Sequence, residues 1–508
     1  MKKNRTKLFA LNTTTSALQQ IVMFVVGLII PSICLKYYGS ETNGLVSSIT
    51  QFISYITLIE AGISVSMVYY LYKPLSENDD AKVSSIVSAA RITYRKLGCA
   101  VVGLSLLLAL GYALLSQVEG LSHFDLFLLV LAMGVSGSLE FFTMARYRVL
   151  FTADQRMYVL SFATIVGSVL NALVTIVAAV LGLSIVWLKF LAIFTVFARS
   201  VVLSAYFKKR YQNINVKAEP DYSSQNKRWD ALFMQILWNL QSGAPVLIVT
   251  LFTDFVKVSI YSIYNLVIYG INNLVSIFMS GLQAAFGEIM VSGDRELLRK
   301  TYNQFTFVFY SALTVIYAIT FAMFMPFIKI YTAGLEDADV YMLPILGLLF
   351  CLNGLLFSVK TPQGMMVIAA GHYKETKIQT TIQASILVVG GLIFTGVFGW
   401  GLYGVVLAAI LSNLYRAVDF LIYIEKHIVQ GSLRQTLFNI FSCSIIVAVV
   451  FLIFPYIQFG EANAVAWILN AIVVGIISVL IVFFMSLLFQ RQNLIGAIKR
   501  VKSIFIRT

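Results

Sequence analysis

The sequence contains few charged residues. Asp, Glu, Lys and Arg make up 12% of its 508 residues, whereas hydrophobic residues make up 59%, and the mean hydropathy is +0.85. A soluble domain has about 25% charged residues. This composition therefore excludes a soluble globular domain and predicts a membrane protein.

Cysteine and histidine are scarce. All the cysteines lie in hydrophobic runs without a CxxC pair, which predicts buried small side chains and no disulfide: Cys34, Cys99, Cys351 and Cys443. The histidines are scattered along the chain: His123, His372 and His427. The sequence predicts neither a metal site nor a cofactor.

Enzyme motifs are also missing. There is no GxxxxGK[ST] loop and no Ser-His-Asp, Cys-His or paired-carboxylate arrangement in a polar loop. The segment "GWGLYG" satisfies GxGxxG, but it links two hydrophobic segments and follows no βα unit, so it is not a dinucleotide site. We expect the protein not to be an enzyme.

Long hydrophobic runs dominate the sequence. A spanning helix needs about 20 mostly apolar residues, and the sequence predicts about fourteen: 14–36, 43–72, 97–118, 122–147, 157–182, 184–207, 229–253, 256–289, 303–327, 340–362, 377–398, 400–425, 433–457 and 464–489. The predicted fold class is an all-α polytopic membrane protein.

An internal repeat organises these helices. The segments "RVLFTADQRMYVLSFATIVGSVLNALV" and "VIAAGHYKETKIQTTIQASILVVGGLI", about 217 residues apart, are each followed by a hydrophobic helix with one deep arginine, Arg199 or Arg416. Pro31 and Pro245 interrupt predicted helices 1 and 7 at corresponding places. Such a pattern is typical of a transporter built from two halves around a central pathway.

The repeat sets the predicted domains. Residues 1–210 and 211–428 each form a six-helix bundle, and residues 429–508 add two helices and a basic tail. Because each half has an even number of helices, both insert in the same orientation, related by an axis along the membrane normal.

Two polar connections repeat as well. In "DAKVSSIVSAARITYRK" the apolar residues share one helical face, and "DRELLRKTYNQF" begins similarly about 215 residues later. These segments predict short helices lying on the inner membrane surface. The face in the first segment consists of Val83, Ile86, Val87, Ala90 and Tyr94.

Basic residues are distributed unevenly between the predicted loops. With both termini in the cytoplasm, that side receives nearly all of the loop lysines and arginines, and the other receives only Lys36, Lys257 and Lys329. This bias accounts for most of the net charge of +14 without nucleic acid. The expected partners of these loops are anionic membrane lipids.

A few ionisable residues lie inside predicted spans. Each costs about 2.5–3.5 kcal/mol on insertion scales, so each is a functional candidate. We expect Glu60 either to line a cavity or to be neutral and hydrogen-bonded, and the candidates for ion coupling are Glu60, Glu140 and Asp419. Arg199 and Arg416 bind a substrate phosphate or extend to the interface. Alternatively, Arg416 is neutralised by Asp419 one turn away.

Helices 1 and 7 carry a set of amides beside their prolines. A run of amides in lipid needs partners, which either a hydrated cavity or interhelical hydrogen bonding supplies. The candidate substrate-binding amides are Gln19, Gln20, Gln235, Asn239 and Gln241.

Several segments resemble a known family. The segments "YYGSETNGLVSSITQFISYITLIEAGIS", "YKPLSENDDAKVSSIVSAARITYRKLG", "YRVLFTADQRMYVLSF" and "AAGHYKETKIQ" are similar to Wzx-type polysaccharide-biosynthesis flippases of O-antigen, capsule and exopolysaccharide assembly. This family belongs to the multidrug/oligosaccharidyl-lipid/polysaccharide exporter superfamily, and the resemblance covers nearly the whole chain.

The resemblance implies two six-helix bundles that move an undecaprenyl-diphosphate-linked oligosaccharide across the bacterial cytoplasmic membrane, with a polymerase and glycosyltransferases as partners. Lipid II flippases of the same superfamily carry several arginines in helices 1 and 2. This chain has none there, which argues against a peptidoglycan precursor. The alternative is a cation-coupled multidrug antiporter of the same superfamily, which usually has twelve helices.

The charge asymmetry predicts the topology directly. In a cysteine-free background, a cysteine at Glu336 or Glu461 should react with an impermeant reagent added to intact cells, and one at Asn226 should not. Reaction at Asn226 in intact cells would contradict a cytoplasmic location of both termini.

Overall fold

The computed structural model describes residues 2–222, 228–372, 374–431, 433–456, 463–491 and 493–495. These residues are almost entirely helical and contain no named strand, only an isolated bridge between Val118 and Leu121. The predicted all-α polytopic fold class is therefore confirmed. Asn226 and Glu461, two of the labelling positions above, lie outside the described residues.

Sixteen α-helices are present in the described part of the chain. Their bounds are α1 Lys2–Thr57, α2 Ala61–Glu77, α3 Asp80–Leu115, α4 His123–Thr143, α5 Ala145–Ala153, α6 Met157–Val180, α7 Ile185–Arg210, α8 Arg228–Phe252, α9 Phe255–Ser292, α10 Arg295–Tyr331, α11 Pro344–Val359, α12 Thr361–Ala369, α13 Lys377–Gly391, α14 Gly401–His427, α15 Leu433–Ile453 and α16 Ala464–Phe489.

Twelve helical segments within the described residues are long and apolar enough to span a membrane. The first, Ala10–Thr57, has 48 residues and a non-helical Gly39 (φ 77°, ψ 170°) inside it. At about 1.5 Å per residue it is longer than two crossings of a ~30 Å hydrocarbon core. A shorter apolar segment, Asn239–Phe252, lies in α8. The total of fourteen spans remains a prediction. The length of Ala10–Thr57 and the apolar segment Asn239–Phe252 favour it.

The chain forms two compact units, Met1–Ser262 and Ile263–Thr508. The first extends beyond the predicted border at residue 210 because α8 packs against α1 and α2. The start of α9 also belongs to it, since a Cβ at Gly44 would lie 1.7 Å from the Phe255 carbonyl oxygen. Asn43 Nδ2 donates to Ser259 Oγ at 2.7 Å beside this contact. The three predicted domains stay a prediction.

The order of helices repeats between the halves. α3 and α10, of 36 and 37 residues, each begin after an aspartate whose side chain accepts a backbone N–H, Asp79 or Asp294. The helices α5 and α12 have nine residues each and follow α4 and α11 after one intervening residue. These matching lengths and N-caps are the structural counterpart of the sequence repeat.

Three predicted spans are interrupted, which the hydrophobic pattern did not indicate. The span 43–72 contains a 3₁₀ turn at Leu58–Glu60, the span 122–147 breaks at Met144, and the span 340–362 breaks at Lys360. Pro362 explains the last break, because proline favours the first turn of a new helix. The predicted span 377–398 ends in a π-helical turn, Leu392–Val397.

The prediction of short helices on the inner surface was wrong. Both segments are the N-terminal turns of long helices, α3 and α10, because no proline separates them from the apolar residues that follow, and Gly98 does not interrupt α3. The predicted apolar face in α3 is buried at all five positions, from Val83 to Tyr94. It packs in the core of the first unit with Met67, Leu71 and Phe151.

The turn between α5 and α6 is held by Asp154. Its Oδ2 accepts hydrogen bonds at 2.5 Å from Arg156 Nε and from the Tyr211 hydroxyl. Burial raises the pKa of Tyr211, and the hydrogen bond to Asp154 raises it further. Asn12 of α1 binds the same turn through Gln155 O and Tyr158 N, both at 2.8 Å.

All four cysteines are free. Cys34, Cys351 and Cys443 are buried as predicted, whereas Cys99 is exposed on α3. The prediction that all four are buried was wrong at Cys99, because apolar sequence context does not distinguish the inner face of a membrane helix from its outer face.

Candidate functional site: clusters of charged residues within the spans

Four charged side chains form one network in the first unit. Arg148 Nη1 donates to Glu60 Oε1 and Arg148 Nη2 donates to Glu140 Oε2, both at 3.1 Å. Arg199 Nη1 donates to the other oxygen of Glu140 at 2.5 Å. The network therefore contains two arginines and two carboxylates, and its formal charges cancel.

Interruptions between helices position part of this network. Glu60 ends the 3₁₀ turn before α2, and Arg148 lies in the short helix α5 that follows the break at Met144. Glu140 and Arg199 come from α4 and α7. Gly167 of α6 leaves room for Arg199, because a Cβ there would lie 2.3 Å from Arg199 Cδ and Cγ. The Nε atom of Arg199 is buried and has no hydrogen-bond partner among the described residues.

The structure thus brings together three predicted site residues, Glu60, Glu140 and Arg199. The residue that joins them, Arg148, was assigned from sequence to a cytoplasmic turn and was missed as a site residue. A signal was present: the residues deepest in the predicted spans of the first half, Glu60, Glu140 and Arg199, together carry one excess negative charge, which favours a second cation nearby.

In the second unit, Arg416 makes contacts with two helices. Its exposed fraction is 3%, and its Nη1 donates to Asp419 Oδ2 at 2.7 Å, so the intrahelical pair considered in the sequence analysis is present. Its Nη2 donates to Thr380 Oγ1 on α13 at 2.8 Å. The guanidinium carbon lies 3.8 Å from the centre of the Phe420 ring, a cation–π contact.

A lysine near Arg416 was missed from the sequence. Lys360, at the break between α11 and α12, has an exposed fraction of 8%. Its Nζ donates to Asn413 Oδ1 at 2.6 Å, and Asn413 Nδ2 donates to Asn353 Oδ1 at 2.8 Å. Thr361-Pro362 after the lysine was the available signal, since it marks a new helix start and places Lys360 at a junction.

The predicted amides are less closely associated than the charges. On α1, Gln19 is half-buried and Gln20 is exposed, and on α8, Gln235 and Gln241 are half-buried. Asn239 Nδ2 donates to the Gln235 backbone oxygen at 2.9 Å, one turn earlier in its own helix. No hydrogen bond among the described residues joins the amides of α1 to those of α8, and their role in substrate binding stays a prediction.

Chemically, the two units differ. The network in the first unit is charge-balanced, whereas the group around Arg416 in the second contains two cations, Arg416 and Lys360, and one carboxylate, Asp419. Among the described residues no group of three or more His, Cys, Asp or Glu side chains is placed to hold a metal ion. Arginines and amides of this kind are suited to binding oxyanions.

The network predicts a measurable coupling between Arg148 and Glu60. Arg148→Gln should lower the free energy of unfolding in detergent, because it leaves Glu60 without its cation, and adding Glu60→Gln should recover part of the loss. We expect a coupling energy of about 1 kcal/mol, since Arg148 is partly solvent-accessible.

Arg146→Gln is the matched control. Arg146 lies in the same helix but contacts the Tyr147 hydroxyl at 2.9 Å and its ring, so it should show no coupling to Glu60→Gln. Strictly additive effects of Arg148→Gln and Glu60→Gln would show that the ion pair does not contribute to stability.

No protein-family model and no curated protein sequence matches the chain. Solved structures do match over most of its length. The lipid II flippase MurJ in an inward closed conformation has a TM-score of 0.70 and 14% identity, covering 95% of this chain and 99% of that one. An inward-facing multidrug resistance MATE family transporter of the MOP superfamily has a TM-score of 0.64 and 13% identity, covering 86% and 98%.

A third match is a MOP superfamily transporter from Pyrococcus furiosus, with a TM-score of 0.50 and 14% identity, covering 84% of this chain and 96% of that one. At these identities the likeness concerns the fold. This chain therefore has a multi-pass membrane fold shared with flippases and transporters of the MOP type.

Proposed function

We propose that this protein is a flippase that translocates undecaprenyl-diphosphate-linked oligosaccharide repeat units across the bacterial cytoplasmic membrane by alternating access. The sugar and diphosphate cross through the polar interior, while the prenyl tail stays in lipid. Both termini are cytoplasmic, and the glycan serves capsule, exopolysaccharide or O-antigen-like assembly.

The extent of the structural matches carries this proposal. The likeness to the lipid II flippase covers 95% of the chain, whereas the likeness to the inward-facing MATE transporter covers 86%. The C-terminal helices α15 and α16 pack against α10, where Trp467 Nε1 donates to Met323 O at 3.1 Å. This extension favours the flippase over the multidrug antiporter.

Each of the two deep arginines is suited to binding a phosphate group of the diphosphate. An arginine stays charged in the membrane and offers planar, bidentate donors to phosphate oxygens. Arg199 retains a buried Nε donor without a partner among the described residues, and Arg416 is oriented by Phe420 and Thr380. The half-buried amides on α1 and α8 supply further donors and acceptors for sugar hydroxyls.

Each deep arginine is paired with a carboxylate when no substrate is bound. Glu140 accepts from Arg199 and Asp419 accepts from Arg416, so a substrate phosphate binds by replacing a carboxylate that is already in contact. The released carboxylate is then free to take up a proton or another cation. In this proposal Glu60, Glu140 and Asp419 couple ion movement to transport.

We infer that the surrounding pathway includes glycosyltransferases, which build the repeat unit on the inner leaflet, and a polymerase, which consumes it on the outer leaflet. The lack of arginine in the predicted helices 1 and 2 argues for a substrate other than the peptidoglycan precursor. The chemistry performed by this chain is movement without bond cleavage.

Deletion of the gene tests the function. Surface polysaccharide should disappear, and lipid-linked repeat units should accumulate on the inner leaflet, because synthesis continues while translocation stops. Radiolabelled lipid extracts and surface glycan staining provide the measurements. Unchanged surface glycan together with increased drug sensitivity would support the antiporter instead.

Neutralising the arginines tests the diphosphate site. Arg199→Gln and Arg416→Gln should each reduce flipping at matched expression without impairing insertion, since removing a charge makes insertion easier. Lysine should restore activity only in part, because it lacks the planar fork. Full activity in Arg199→Gln would exclude the phosphate contact in the first half.

The ion pair in α14 supplies the control. If Arg416 serves only to pair with Asp419, then Arg416→Gln combined with Asp419→Asn should transport normally, because both charges are removed together. If Arg416 binds phosphate, the double variant should be as defective as Arg416→Gln alone.

A further inference from the structure

We propose that Lys360, Asn413 and Asn353 form a second anion subsite in the second unit, which takes an oxyanion group of the substrate. None of the three was expected from the sequence to contact substrate. This inference rests on the proposed function for the identity of the substrate, and it adds to that function a specificity-determining cation outside the deep-arginine pair.

The contacts of the Lys360 ammonium do not neutralise its positive charge. The ammonium donates to one neutral amide oxygen, Asn413 Oδ1, at 2.6 Å and lies 5.0 Å from the centre of the Phe357 ring. An ammonium has three donors. No ion pair within 4.0 Å involves Lys360 in the described part of the chain. Asn413 and Asn353 are only half-buried, so the amides that connect to Lys360 are partly accessible.

Nearby charges increase the need for an anion. Arg416 lies on α14 one turn after Asn413, the residue that Lys360 contacts, so its guanidinium adds a second positive charge to this region. Asp419, the carboxylate of this group, is bound to Arg416. A buried cation is costly unless it is paired. A bound oxyanion would supply the missing negative charge.

The internal repeat shows that the fold does not require a lysine at this position. Lys360 is the single residue between α11 and α12, and the single residue between α4 and α5 is Met144. Met144 has an exposed fraction of 2%, in the core of the first unit. The same junction therefore forms with an apolar side chain, so the charge at Lys360 serves something other than helix packing.

Binding to purified full-length protein in detergent tests the subsite. The first probe is P1-citronellyl P2-glucosyl diphosphate, which carries the diphosphate diester with a neutral sugar, and the second is a uronic-acid oligosaccharide without phosphate. Lys360→Met should weaken the binding of whichever of the two probes the subsite binds, by about tenfold or more. The variant should fold, because the chain itself has a methionine, Met144, at the equivalent junction.

Asn413→Asp is the sharper variant. It is nearly isosteric and places a carboxylate against Lys360 at the distance of the present hydrogen bond, so the protein should keep or gain thermal stability while losing the probe. Lys329→Met, an exposed lysine of the same unit, should bind the probe like the unaltered protein.

The probes identify the source of the oxyanion. A loss confined to the diphosphate assigns the subsite to the lipid carrier, and a loss confined to the uronic acid assigns it to an acidic sugar. If Lys360→Met and Asn413→Asp bind both probes normally, the subsite does not exist, even if gene deletion still stops surface glycan. Conversely, a gene deletion without effect on surface glycan would contradict the proposed flippase function. Binding of the probes to the Lys360 subsite could still be measured in that case.

Discussion

The cost of placing charge within membrane spans is the constraint on which this structure depends. Each ionisable side chain there costs about 2.5–3.5 kcal/mol on insertion scales unless it is paired or hydrated. In the first unit, Arg148 contacts both Glu60 and Glu140, and Glu140 binds Arg199 with its second oxygen, so that the charges are paired. Two of these four residues lie at or just after helix interruptions, where side chains from separate helices converge without continuous helical packing.

The two halves share a backbone plan but differ in their charges. Arg199 and Arg416 occupy equivalent places, yet the first pairs with a carboxylate on another helix and the second with one on its own helix. A repeat of this kind fixes the position of helices and junctions and leaves the counter-charges free to diverge. The result is a balanced group in one unit and a group with an excess cation in the other.

Much of the fold follows from the sequence, because hydrophobic length and loop charge are determined by the bilayer itself. The helices and the repeat were readable, and the pair between Arg416 and Asp419 was one of the alternatives that the sequence offered. The breaks at Glu60 and Met144 were not, since Gly62 alone is a weak signal for a break and neither proline nor glycine lies beside Met144. Arg148 was missed because it directly follows the predicted span 122–147 and was assigned to the polar turn after it.

The pairing of the arginines also limits the mechanism. A cation that already contacts a carboxylate binds phosphate by exchange, and the net gain is the difference between two charge-assisted interactions. Under the proposed function, such a site would hold its ligand only moderately, which would allow the ligand to be released. Lys360 has no carboxylate to displace among the described residues. An anion at Lys360 would gain the full interaction with the ammonium, so this subsite would contribute more to the choice of substrate. The arginines, which exchange a carboxylate for the phosphate, would contribute more to its release.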